Sequence, residues 1–482
     1  MKNNRLDFLK KFLGFSLSSW INALLSLVSV PILTRVFSTG EVGKINLFIT
    51  TTTLMLNFTY VGIDQAFTRF FYEPPGKNDK KSLFSLCMSL SLIVFFIIGS
   101  IGLFIYKNQL SETILGYITY IIPISFALSI LANVILRFSN LYSRMENNIF
   151  LFNIQSICIT VTSNLSYVAI AFYIPSAEGA IVLRTFFTCL IAIIFLVCSR
   201  KRMSFKKIDA SKYVIKTILA YALPICPAAM LSAANNSVGQ FLMRYFASFE
   251  TIGIYSNAVT IASIITLIQS GINHYWEPLV FENYKKSQKQ IIKMHHMISF
   301  VMIVFALCII FFQDLIYFVL VGKNFWASKQ LFPLLIISPV AYTISETLGI
   351  GVKLSKKTYL NIPAYAINII INVFVCILLL PKIGALGAAI ASSISSIAML
   401  VVKSILGERY YRCSDNYIKL IIALTTLYIT ALIHAFVYEA AIKYIVYLVA
   451  FVIVSICYID EVKTGLSLLI DLKKQIIKEK KL

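Results

Sequence analysis

Charge is scarce in this chain: 13% of its 482 residues are charged, and Asp and Glu number 21 against 43 Lys and Arg. With 59% hydrophobic residues and a mean hydropathy of +0.82, the composition excludes an ordinary soluble domain. Cysteine pairs are missing too. The 9 Cys stand singly, without a Cys-x-x-Cys or Cys/His ligand spacing, which argues against a metal site and leaves them as small apolar packing residues. There is no Gly-rich nucleotide loop and no pair of carboxylates in a polar segment, so an ATP-driven pump and a hydrolase are disfavoured. Connections longer than about twenty residues are also lacking, so the chain has no extramembrane loop large enough to hold sugars and acid/base residues for an enzyme.

What the chain does have is apolar runs of membrane-crossing length along nearly all of it, each enough to span a hydrocarbon layer of roughly 30 Å as a helix. Fourteen spans are predicted, from 12–36 to 441–460, and among them 43–67, 252–276, 297–320 and 331–353. The formal charge of +22 follows topology rather than a nucleic-acid footprint. Lys and Arg crowd the N-terminus, the even-numbered connections and the C-terminal tail, which places both termini in the cytoplasm by the positive-inside rule. The start "MKNNRLDFLKKFLGF" has a basic head, but the run behind it exceeds a signal-peptide core and lacks a small-x-small cleavage site, so it is expected to stay as span 1.

The stretch "LTRVFSTGEVG" at 33–43 returns as "LMRYFASFETIG" at 242–253. A constant shift of 209 pairs Leu33 with Leu242, Arg35 with Arg244, Phe37 with Phe246 and Glu41 with Glu250, and sets Gly62, Ile63 and Asp64 on Gly271, Ile272 and Asn273. "AEGA" at 177–180 likewise matches "ALGA" at 385–388. An even number of spans separates the copies, so both halves enter the membrane in the same direction and form a parallel repeat. The expected fold is an all-α polytopic membrane protein, with a six-span bundle at 1–207, a second at 208–412, and two further spans with a basic tail at 413–482. Glu41 and Glu250 are expected to accept bonds from helix N-terminal amides at the outer turns.

Two bundles about an axis along the membrane normal leave a cleft between them, where a transporter of this build holds its substrate. In span 2, Asn46, Thr50, Thr53, Asn57, Tyr60 and Asp64 recur at helical spacing and share one face. Under the shift of 209, the equivalent positions of span 8 are Tyr255, Val259, Ala262, Thr266, Gln269 and Asn273, a weaker stripe. Span 11 adds Asn361, Asn368 and Asn372. Pro31, Pro224, Pro227, Pro333 and Pro339 give the first helices of both halves and span 10 the capacity to bend.

With its order of spans, the "RVFSTGEVG" turn, "WEP" at 276–278 and "GALGAA" at 384–389, the chain resembles the multidrug/oligosaccharidyl-lipid/polysaccharide exporter superfamily and, within it, the Wzx-type polysaccharide flippases. It departs from many relatives in having Gly239 and Gln240 where they carry an Asp-Arg pair. The resemblance implies an undecaprenyl-diphosphate-linked oligosaccharide, an O-antigen or related repeat unit, moved to the outer leaflet of a bacterial inner membrane, with polysaccharide polymerase and chain-length proteins as partners. It implies a transporter without a cofactor, coupled to H+ or Na+. A diphosphate calls for cations in the cleft, Arg above all. Arg184, within "GAIVLRTFF", is the clearest; Arg35, Arg244, Arg69 and Arg137 are further substrate-binding candidates beside Asn57, Asn368 and Asn372. Asp64 and Glu346 are the expected carriers of the coupling ion, each costly in lipid unless paired, protonated or hydrated. The alternatives are a multidrug exporter of the same superfamily, which would favour an acid-lined cleft, and a membrane-embedded polymerase or glycosyltransferase.

Overall fold

The computed structural model describes residues 20–172, 175–200, 208–355, 357–437 and 439–463. The basic N-terminus, Lys206, Lys207 and the basic tail lie outside the described residues, as do the side chains of Asn273 and His274. Among the described residues the chain is helical throughout, without a strand.

The first bundle holds α1 (Trp20–Val36), α2 (Thr39–Tyr60), α3 (Ile63–Phe70), α4 (Lys80–Leu115), α5 (Ile121–Met145), α6 (Ile149–Ala171) and α7 (Ala177–Cys198). The second holds α8 (Lys212–Phe246), α9 (Phe249–Ala262), α10 (Thr266–Asn283), α11 (Gln288–Phe311), α12 (Gln313–Leu320), α13 (Phe332–Leu335), α14 (Ile337–Leu348), α15 (Ile350–Leu354), α16 (Asn361–Ile383) and α17 (Ala385–Glu408). Two further helices, α18 (Tyr417–Phe436) and α19 (Ala440–Cys457), dock on α11. Among the described residues, eleven helices are long and apolar enough to cross a membrane, or twelve counting one bent pair. Helices α1, short among the described residues, and α2, which carries the polar stripe, complete the fourteen-span pattern.

Several predicted spans are interrupted. Span 2 breaks where Val61 and Gly62 both adopt left-handed backbone, at φ 47° and 77°, before α3 restarts. A 3-10 turn at Ser263–Ile265 divides span 8 into α9 and α10. Span 9 divides at Phe312, and span 10 is entered through a 54° bend, where the 3-10 segment Lys323–Gln330 just before it meets Phe332–Leu348. Helix α8, by contrast, runs unbroken through Pro224 and Pro227.

The bundles meet chiefly through α2, α8 and α9. At the end bearing the α1–α2 and α8–α9 turns, called outer here after the charge distribution, α2 and α9 cross at Gly43 and Gly253. A Cβ on Gly43 would strike the Phe249 carbonyl, and one on Gly253 the Thr39 carbonyl. These reciprocal contacts correct the repeat register. Ser38 and Ser248 are the N-caps of α2 and α9, each accepting from the amide three residues on, so the shift grows from 209 to 210 after the Arg residues. Glu41 therefore does not correspond to Glu250. Glu41 caps α7 by accepting from the Ala177 amide and pairs with Lys44 at 2.8 Å, whereas the Glu250 carboxylate lies against Gly40.

Candidate functional site

A polar cavity of about 270 Å³ lies under the outer turns, between α1, α2, α6, α7 and α9. About half of its wall is hydroxyls and amides that the helices satisfy locally, and the rest is apolar, with Val30, Leu33, Val42 and Ile159. Ser26 and Ser29 donate to the main-chain carbonyls of Asn22 and Ser26, Thr160 to Ser156, and Asn46 to Val42. Asn164 donates to the Leu25 carbonyl at 2.9 Å and ties α6 to α1, while Asn257 donates to Ser328 at 2.8 Å.

The corrected register also restores the stripe on α9. Asn46, Thr50 and Thr53 now correspond to Ser256, Thr260 and Ser263, all polar, and Tyr255 and Ala262 drop out of the stripe. One residue rotates a helix by about 100°, enough to exchange a polar face for an apolar one. Gln240 joins the two stripes: Thr50 donates to its carbonyl oxygen at 2.5 Å, and its amide donates to Ser256 at 3.2 Å.

Arg184 is the cation of this cavity. It sits two turns into α7, donates from Nη1 to the Tyr167 hydroxyl at 2.6 Å and lies over that ring. No ion pair reaches it among the described residues, and no acid lines the cavity. A partly buried guanidinium facing only neutral dipoles favours an anion beside it.

The other predicted residues are placed differently. Arg35 donates from Nη2 to the Val319 carbonyl at 3.0 Å, in the last turn of α12. Arg244 donates to the Thr113 and Glu112 carbonyls at 2.7 and 3.0 Å, in the last turn of α4, with its guanidinium 4.5 Å from the Phe249 ring centre. Each arginine thus caps a helix end of the opposite bundle, where carbonyls lack partners within their own helix. Thr34 adds to the first contact by accepting from the Gly322 amide at 2.8 Å. Together these contacts close the outer end.

Toward the opposite end, Arg137 donates to one Asp64 oxygen through Nη2 at 2.7 Å and Nε at 3.2 Å; Asp64 is buried and Arg137 partly exposed. Arg69 is exposed and 3.5 Å from Glu73. Glu346 pairs with Lys353 at 2.9 Å and with the buried Lys403, and Lys353 also pairs with Glu277 of the "WEP" motif. Asn57 bonds back to the Thr53 carbonyl, Asn368 donates to the Met399 sulfur, and Asn372 donates to the Asn235 side chain at 2.9 Å. None of these residues reaches the Arg184 cavity.

Sequence reasoning missed Tyr167, Gln240, Asn257 and Lys403. Tyr167 and Lys403 carry no periodic signal. Ser256 and Thr260 emerge from the repeat once its register follows the N-cap serines rather than the glutamates, whereas Asn257 falls on Leu47 and has no repeat signal.

Residues 8–284 match the family described as polysaccharide biosynthesis protein. In structure, the chain is similar to the lipid II flippase MurJ in an inward closed conformation, with a TM-score of 0.71 and 14% identity over 95% of this chain and 99% of that one. It is also similar to an inward-facing multidrug resistance MATE family transporter of the MOP superfamily, with a TM-score of 0.58 and 15% identity over 80% of this chain and 94% of that one. No curated protein matches the chain in sequence.

Proposed function

The chain belongs to the polysaccharide biosynthesis protein family, and from that premise we propose that it flips an undecaprenyl-diphosphate-linked oligosaccharide, an O-antigen or related unit, across a bacterial inner membrane. The observation that carries this reading is the acid-free polar cavity around Arg184, set under a closed outer end between the two bundles. Its hydroxyls and amides suit sugar hydroxyls, and its guanidinium suits a phosphate or an acidic sugar. At about 270 Å³ it is below the usual size of a ligand pocket, roughly 300–1,000 Å³, so it receives one portion of the head group until the bundles separate.

An apolar groove of about 550 Å³ between α17 and α18, walled by Ile397, Val401, Ile421 and Leu424 with Glu408 at its rim, supports a lipid-borne substrate. Alternating access would require the two arginine contacts at the outer end to open. Asp64 and Glu346 stand in ion pairs, and their proposed role in H+ or Na+ coupling would need those pairs to exchange a cation for the coupling ion. The reading places both termini in the cytoplasm and the protein beside a polymerase and chain-length proteins.

Complementation of a flippase-deficient strain tests the reading, with surface polysaccharide measured per molecule of membrane protein. Arg184→Ala should lower export by roughly 10–100-fold, the equivalent of a lost charge-assisted bond of about 1.5–3 kcal/mol. Arg184→Lys should keep part of the activity, since the charge survives without the planar fork. Full export by the Ala variant at normal yield would remove the cavity from the mechanism. The multidrug alternative predicts the reverse, because an uncompensated guanidinium repels cationic drugs.

A further inference from the structure

A second charged cavity, of about 170 Å³, lies where the α18–α19 hairpin meets the end of α11, and transport as proposed above does not use it. Its charges do not balance. Lys329 pairs with Asp314, which leaves Lys443, half-buried in the first turns of α19, facing that pair with no ion pair of its own among the described residues. Glu439, the N-cap residue just before α19, is exposed and makes no ion pair with it among the described residues. The cavity therefore carries one uncompensated positive charge, which is costly away from water.

One acceptor is stranded beside these donors. Gln313 is 3% exposed, and its amide nitrogen meets His434 Nδ1 at 3.1 Å, which leaves its carbonyl oxygen buried without a partner. A single anion carrying a hydroxyl would satisfy both: the anion neutralises Lys443, and the hydroxyl donates to Gln313 Oε1.

The surroundings indicate where such a molecule would come from. Phe311 and Tyr447 pack as a tilted pair in the cavity wall, ring centres 4.5 Å apart, while Phe312, Leu315 and Phe318 near the α11–α12 junction and Phe436 and Ile445 on the hairpin are exposed apolar side chains. An occupant there sits among acyl chains. We propose that this cavity binds the phosphate and head-group hydroxyl of an anionic phospholipid of the phosphatidylglycerol type, one per chain, which fastens the α18–α19 hairpin to α11.

Native mass spectrometry of the full chain in detergent, titrated with phosphatidylglycerol or phosphatidylcholine, tests this. The wild type should retain one phosphatidylglycerol in preference to phosphatidylcholine. Lys443→Gln should weaken that preference by about tenfold or more, and Lys443→Arg should keep it. Lys216→Gln, at an exposed lysine in the second turn of α8 that does not line this cavity, should bind as the wild type does. Gln313→Leu should lower affinity for phosphatidylglycerol more than for phosphatidic acid, which has no head-group hydroxyl. Equal retention of the two lipids by the wild type, or unchanged binding by Lys443→Gln, would overturn the proposal. Inorganic phosphate raising the melting temperature as much as phosphatidylglycerol would also overturn it, by assigning the site to a soluble anion.

Discussion

At single residues the outer end depends on what is small and what is capped. Gly43 and Gly253 have helical backbone, so steric room alone excludes a side chain there: a methyl group on either would meet the carbonyl of the opposite helix. Gly253→Ala should cost about 1–3 kcal/mol, the usual penalty of overpacking, and lower the melting temperature, while Ala at Gly271, where a Cβ meets open space, should not. Asp209, in the connection between the bundles, holds the α3–α4 loop. It accepts from the Lys77 amide at 3.1 Å and the Ser211 amide at 3.0 Å, and Asn78 and the Asp209 main chain bond each other in both directions. The bond from the Lys77 amide, then those from Ser211, hold the carboxyl below its ordinary value of 3.8. Because the folded value is depressed, this stabilisation is complete above the unfolded value and is lost as pH falls through the folded one. Melting temperature measured against pH should show a shallower acid decline for Asp209→Asn than for wild type, with parallel curves at neutral pH.

Among elements, the repeated motif builds a reciprocal fastening in which α1 holds the end of α12 and α8 holds the end of α4, while α2 and α9 cross between them. The acceptors are main-chain carbonyls, not carboxylates, so the closure does not depend on the protonation of a partner acid. Each bond of this charge-assisted kind is worth about 1.5–3 kcal/mol. Arg35→Ala and Arg244→Ala should each raise the open fraction by about tenfold or more. The rate at which an impermeant maleimide reaches Asn46→Cys in the cavity, in a background without the native cysteines, measures that fraction. An unchanged rate in both variants would show that the arginines only anchor helix ends.

At the scale of the whole molecule, the proposed direction of transport rests on topology. Reporter fusions after residue 207 and after residue 478 should report the cytoplasm, and fusions near Lys107 and Lys382 the outer side. A cytoplasmic signal near Lys107 would invert the orientation of the first bundle and end the parallel-repeat argument. The structural likeness to MurJ spans 95% of this chain, whereas the likeness to the MATE transporter spans 80%, so the longer match takes in more of the chain.

The sequence alone determined the class of the molecule. Hydropathy over twenty-residue windows, the alternation of basic connections and the repeated turn are local or periodic signals, and they predicted a helical membrane protein of two related bundles and two added helices. Arg184 was legible for the same reason, as a lone cation in an apolar run. Tertiary structure decided the rest. Arg35 and Arg244 look alike in the sequence as phosphate ligands and as helix caps, and only the approach of α12 and α4 from the opposite bundle distinguishes the two. The one-residue change of register between the repeats was hidden because matching glutamates outweighed matching serines by eye, whereas backbone contact at Gly43 and Gly253 permits a single alignment. For Glu346 the sequence already offered Lys353, seven residues on, as a salt-bridge partner, and the pair forms; Arg137 for Asp64 and Lys403 for Glu346 lie 73 and 57 residues away, a separation that packing closes and periodicity does not record.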